Sequence, residues 1–228
     1  MLVPMNSEHG IQVEVDAILD SFEHGERWVK GEWSDERGNC LHQGVRMCQP
    51  VLGDAYLIEQ VADRQGWGVD WNDDEDRTFD DVKQKLVQHR EILPHELEET
   101  FGPQWAHIMA LVRRASVATE VELGIMWGVY CSVTTSADGE LNWIDNWSKS
   151  FVRARTVATY ADRNNARIAA QEAAWRAPPS HVRAVAVAAA VALSTRDLIG
   201  NDGYKQADYD LLTKPWREVI GKVHPDDT

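Results

Sequence analysis

"AVAVAAAVAL", residues 184–193, decides the fold class. Its first valines alternate with alanines, the period of a half-buried strand. Alanine is nevertheless the best helix former and a poor strand residue, so the stretch predicts a helix. Small residues all round that segment imply a helix packed closely on several sides. Pro178–Pro179 divides two such alanine-rich helices, residues 151–177 and 180–199, and a final helix over 206–221 is interrupted by Pro215. Val182, Val185, Ala186, Ala189 and Leu193 form a shallow face on which another helix can sit. They predict a homo-oligomer through that face, the alternative being a partner helix within the same chain.

Working back toward the start, apolar positions recur at helical spacing nearly everywhere. Ile11, Val15, Ile18, Leu19 and Phe22 make one face, and Leu52, Tyr56, Leu57, Val61 and Ala62 another. Phe79, Val82, Leu86 and Leu93 follow, opened by Thr78 with Asp81 three residues on, which reads as a helix N-cap with an acidic first turn. Pro94 is expected to kink or end that helix, and Gly102–Pro103 to end the next. Trp105, Ile108, Val112, Ala115 and Ile125 then predict one long helix. "VYCSVTTSADGELNW", beginning at Val129, is β-branched and contains Asp138–Gly139. A helix end and a loop are expected there, with a small β-hairpin near 129–147 as the alternative. The fold class is therefore all-α, a compact multi-helix domain.

The chain carries a net charge of −14, unevenly spread. Residues 1–150 hold 12 Lys/Arg against 28 Asp/Glu, and residues 151–228 hold 11 against 9. The two stretches, an acidic helical module and an alanine-rich C-terminal part, are expected to pack as one domain. Six arginines between Arg153 and Arg183 stand against Asp162 and Glu172, a stripe suited to docking on the acidic half. Such a balance argues against general nucleic-acid binding, because phosphate contacts need clustered cations. The start, MLVPMNSEHG, lacks a basic region followed by an apolar one, so no signal peptide is expected. The longest apolar run is Ala184–Leu193, about half of what a bilayer span needs, so no membrane association is expected. Three cysteines without framework spacing suit a reducing cytoplasm.

Cys40, His42 and Cys48 invite a metal or redox reading. On a helix over 38–49 the two cysteines lie about 12 Å apart along the axis, too far for a shared metal or a disulfide. His42 points away from Cys40, and Cys40, Gly44 and Cys48 line one stripe, so the cysteines read as small buried hydrophobes. "DWNDDEDRTFDD", residues 70–81, holds seven carboxylates and one arginine. Asp70, Asn72, Asp74, Asp76 and Asp81 fall on a calcium-loop template, but Glu75 stands where that loop needs glycine. An acidic loop leading into a helix N-terminus is the reading preferred. His24, His42, His89, His95, His107, His181 and His224 are dispersed, and Glu96, Glu98 and Glu99 beside His95 read as a solvated helix face. Neither a deaminase, a zincin, a P-loop nor a nucleophile-elbow motif is present. No cofactor is expected.

Three further stretches, "ILDSFEHGERWVKG" (18–31), "GNCLHQGV" (38–45) and "WNDDEDRTFDDVKQKL" (71–86), occur in that order. Over about residues 15–88 the chain resembles a domain-of-unknown-function family of actinobacteria and their phages (domain of unknown function 6197). The family pattern has a small residue where Val45 stands here. The tail from Ser194, "STRDLIGNDGYKQADYDLLTKPWREVIGKVHPDD", is similar to a recurring ending of proteins from the same sources. The resemblance implies a source and assigns no catalytic residue.

The functional expectation is a non-enzymatic cytosolic interaction protein, phage-encoded, that binds a host component or a small signalling ligand. The alternative is a metal-assisted hydrolase whose carboxylates and histidines meet only in the fold. The expected partner-binding residues are Trp67, Trp71, Asp73, Asp74 and Asp76, with charge steering a basic partner and the tryptophans anchoring it.

Overall fold

Helices account for most of the computed structural model, which describes residues 10–30, 38–134, 143–178 and 182–227. Twelve α-helices and one two-stranded sheet are found among the described residues, so the chain is all-α. It divides into two units, Ser7–Leu97 and one comprising Glu98–Thr228. The change of charge near residue 150 falls inside the second of them.

The first unit begins with strand β1 (Ile11–Gln12) and helix α1 (Val15–Ser21). Helices α2 (Leu41–Cys48), α3 (Leu52–Arg64), α4 (Val69–Asn72) and α5 (Phe79–Gln88) follow, then strand β2 (Glu91–Ile92). The strands pair antiparallel, Ile11 opposite Ile92 and Gln12 opposite Glu91, tying the two ends of the unit together. Thr78 caps α5 as expected: its hydroxyl accepts from the Asp81 N–H, and the Asp81 carboxylate accepts from the Thr78 N–H. The helix stops at Gln88, short of Pro94, because Glu91 and Ile92 are taken into the sheet. Pro94 instead opens helix α6 (Pro94–Phe101), where its missing N–H costs nothing. Gly102 ends that helix with φ +82°, as the sequence predicts.

Side chains from residues 18–31, 38–45 and 71–86 meet within this unit. Buried Phe22 and half-buried Trp28 from the first each place a ring 6.0 Å from half-buried Phe79 of the third. Trp28 Nε1 donates to Asn72 Oδ1 at 2.8 Å. Gly44 of the second lies directly on Phe22, and an added Cβ would stand 2.5 Å from its Cζ. Val45, next to Gly44, is buried as well.

The second unit holds α7 (Trp105–Ser116), α8 (Glu120–Thr134), α9 (Trp143–Tyr160), α10 (Asn164–Arg176), α11 (Arg183–Ser194) and α12 (Gln206–Val219). Helix α11 is the alanine-valine stretch, and it packs against α7, α8, α9, α10 and α12. Val182, Val185, Ala186, Ala189 and Leu193 are all buried there. The proposed oligomer face is thus used up within the chain, since small side chains let five helices approach one.

Other helix readings differ from expectation as well: Ile11 lies in β1 rather than on the first helix face, and the helix expected over 180–199 spans Arg183–Ser194. The long helix through Trp105 and Ile125 is broken at residues 117–119, where Thr119 and Glu122 form a second reciprocal cap. The helix expected over 151–177 breaks at Asp162, which adopts φ +55° while the Arg163 N–H closes on the Ala158 carbonyl at 2.7 Å. Helix α12 runs unbroken through Pro215, held by the burial of Pro215 and Trp216. Within 129–147, residues 129–134 and 143–147 are helical, and 135–142 lie outside the described residues.

Candidate functional site

The acidic stretch 70–81 is held in shape by donors from the chain itself. Asn72 is buried, accepts from Trp28, and donates to Asp73 at 2.8 Å and to the Val29 carbonyl at 3.4 Å. Lys30 Nζ donates to the carbonyls of Asp74 and Glu75 at 2.8 and 3.0 Å, and the Asp74 carboxylate accepts from the Asp76 N–H. Asp81 is committed to Thr78, whose hydroxyl and N–H hold its carboxyl below the usual range. Of the calcium-loop positions, Asn72 and Asp81 are thus engaged within the chain. Asp70, Asp74, Glu75, Asp76 and Asp80 face solvent. Among the described residues no group of three or more His, Cys, Asp or Glu could hold a metal ion.

Of the expected anchors, Trp67 is not on the surface. It is 1% exposed, its ring stacks on His89 at 4.6 Å, and its Nε1 donates to Gln65. Trp71 is half-buried under cations: the Arg77 guanidinium lies 4.2 Å from its ring centre and Lys85 Nζ 5.7 Å. Of the other expected residues, Asp74 and Asp76 are exposed and Trp71 and Asp73 half-buried.

Cys40 and Cys48 are free, and burial pushes both thiols up, which keeps them protonated and unreactive at neutral pH. Cys40 is the residue before α2 rather than part of it, and the Cys48 thiol donates to the Ala17 carbonyl. His42 points elsewhere, as expected, yet into the protein: it is buried, with Nε2 3.7 Å from an Asp63 carboxylate oxygen. Glu59 on α3 is fully buried and accepts two hydrogen bonds from the Arg46 guanidinium, which also lies over the Tyr56 ring. Single side chains of this kind read identically in sequence whether they face water or core.

In the second unit, Asp208 is buried where α9 meets α12. It accepts from the Ser150 hydroxyl at 2.6 Å, from Arg153 at 2.7 Å and from the Lys205 N–H at 2.9 Å. Burial alone would raise its pKa, and these three donors more than reverse that, so it stays ionised. A tail clasp lies farther on: Asp227, also buried, accepts from the Tyr209 hydroxyl and from the N–H groups of Val223 and His224. The His224 ring stands 4.4 Å from that of His107. A narrow void lined by Ala115, Leu123, Met126, Val182, Ala186 and Trp216 has no room for a water molecule.

The feature that sequence reading missed is the outer face of α8. Val121, Gly124, Ile125, Trp127, Gly128 and Ser132 are exposed on it, with Glu120 the exposed charge at its start. Two signals pointed there: the absence of any charge from Leu123 to Ala137, and glycines four residues apart. Val117, just before the helix, extends the face.

No family model matches the chain, and comparison with curated proteins and with solved structures yields no match either.

Proposed function

We propose that this chain is a non-enzymatic, phage-encoded interaction protein that works in the cytoplasm and engages a basic host protein through Trp71, Asp73, Asp74 and Asp76. The observation that carries this reading is the ordering of the acidic loop. Lys30, Trp28 and the Thr78 cap hold its backbone, while five carboxylates in or beside it stay in solvent next to a large half-buried ring. An ordered surface loses little conformational entropy on binding, and concentrated charge speeds encounter with a partner of opposite sign. The resemblance to the actinobacterial and phage family supplies the source in this reading.

The test uses a partner recovered from actinobacterial lysate and then purified. Replacing Asp73, Asp74 and Asp76 by Asn keeps their acceptor oxygens and removes three charges. The expected outcome is an unchanged melting temperature, slower association and a shallower dependence on salt. An association rate and salt slope equal to wild type would discard the loop as the contact surface.

A further inference from the structure

We propose that the outer face of α8 is a self-association surface whose occupant is the α8 face of a second copy of this chain. Val117 is 65% exposed, Val121 71%, Ile125 53% and Trp127 40%. Large apolar side chains singly exposed are ordinary, but here they run over three turns, with Glu120 at the start of α8 the exposed charge beside them. The glycines add a separate argument. A Cβ built at Gly124 or at Gly128 meets nothing within 4 Å, so no contact among the described residues requires glycine at either position. Glycine in a helix interior lowers stability relative to alanine. Two of them on one exposed face form a notch into which another helix backbone fits closely, the geometry by which small residues four apart bring helices together.

Charge and area select the occupant. The unit carrying α8 holds 14 Lys/Arg against 16 Asp/Glu, whereas Ser7–Leu97 holds 9 against 21. Two copies meeting through α8 bring together units of nearly balanced total charge, while contact through the other unit sets a net excess of negative charge against itself. A two-fold interface places the same patch on both sides, and a notched, largely apolar face is complementary to itself. A second copy also supplies the matching glycines. The exposed apolar area is on the order of 400 Å² per copy, and two such faces bury less than the roughly 1,200 Å² at which stable interfaces begin. The pairing is therefore reversible and concentration-dependent. It is independent of the acidic loop, and a dimer presents two such loops to a partner.

Sedimentation equilibrium of the full chain, from low micromolar to several hundred micromolar and at two salt concentrations, tests the proposal. Wild type is expected to show a monomer–dimer equilibrium that changes little with salt. Ile125→Glu should be monomeric throughout, with an unchanged circular dichroism spectrum. Gly128→Ala should weaken dimerisation by about tenfold while raising the melting temperature of the monomer, opposite effects that a purely structural glycine would not give. A wild-type chain that stays monomeric overturns the proposal, as does a dimer that both variants leave intact. Photo-crosslinking from position 121 to a foreign protein alone also overturns it, and leaves the acidic-loop reading standing.

Discussion

A methyl group at residue 44 would stand 2.5 Å from Cζ of Phe22, a distance that forces the ring or the helix to move. Phe22 is itself wedged against Phe79, so the ring has little freedom. Gly44→Ala is expected to destabilise the first unit by about 1–3 kcal/mol, the usual cost of overpacking. Urea unfolding followed by tryptophan fluorescence measures it, and an unchanged midpoint would show that the ring yields freely. Trp67 illustrates the opposite difficulty. Its place beside an acidic loop predicts a surface anchor, and the structure buries it against His89. A tryptophan suits a core and an interface equally well, and only its neighbours settle which it serves.

The second capping pair shows what a short signal can do to a helix. Thr119 and Glu122 satisfy the pattern of a reciprocal cap, and the chain leaves the helical path at 117–119 although apolar spacing continues across it. Once the chain leaves the helix there, the cap satisfies N–H groups that the new helix start leaves without partners. Thr119→Ala should lower stability by about 1 kcal/mol and raise amide exchange in the first turn of α8 before anywhere else. Protection unchanged in that turn would mean that packing alone holds the helix start. Pro215 makes the complementary point. Its ring and missing N–H predict an interruption, yet α12 continues, because tertiary packing on both sides of the turn outweighs one lost hydrogen bond.

Acid sensitivity is a property of both units together. Burial lowers His107 and His224 below their ordinary value of 6.5, and Arg196 nearby lowers both further, against the opposing pull of Asp226 and Asp227. Burial lowers His89 in the other unit as well, with Glu96 opposing. A histidine whose folded pKa is depressed leaves the unfolded chain to take up protons first. Its contribution to stability is whole above the unfolded pKa and drains away as pH falls toward the folded one. Melting temperature should therefore drop between about pH 7 and pH 5, and His107→Phe should flatten that drop. A wild-type melting temperature constant over this range would remove histidine titration as a source of acid sensitivity.

Much followed from the amino-acid order alone. Alanine's propensity in 184–193, the cap at Thr78 and the stop at Gly102 are local preferences, written within a few residues, and the all-α class follows from them. The spacing of Cys40 and Cys48 likewise argued for structural thiols without reference to any neighbour. Other features needed distant residues brought together. That Val182, Val185 and Ala186 are internal while Val121 and Ile125 are not cannot be read from hydrophobicity, since both sets are apolar and both lie on helices. Five helices surround α11 and leave one side of α8 bare, and this difference in the number of neighbours is a property of packing, which no single stretch of sequence contains.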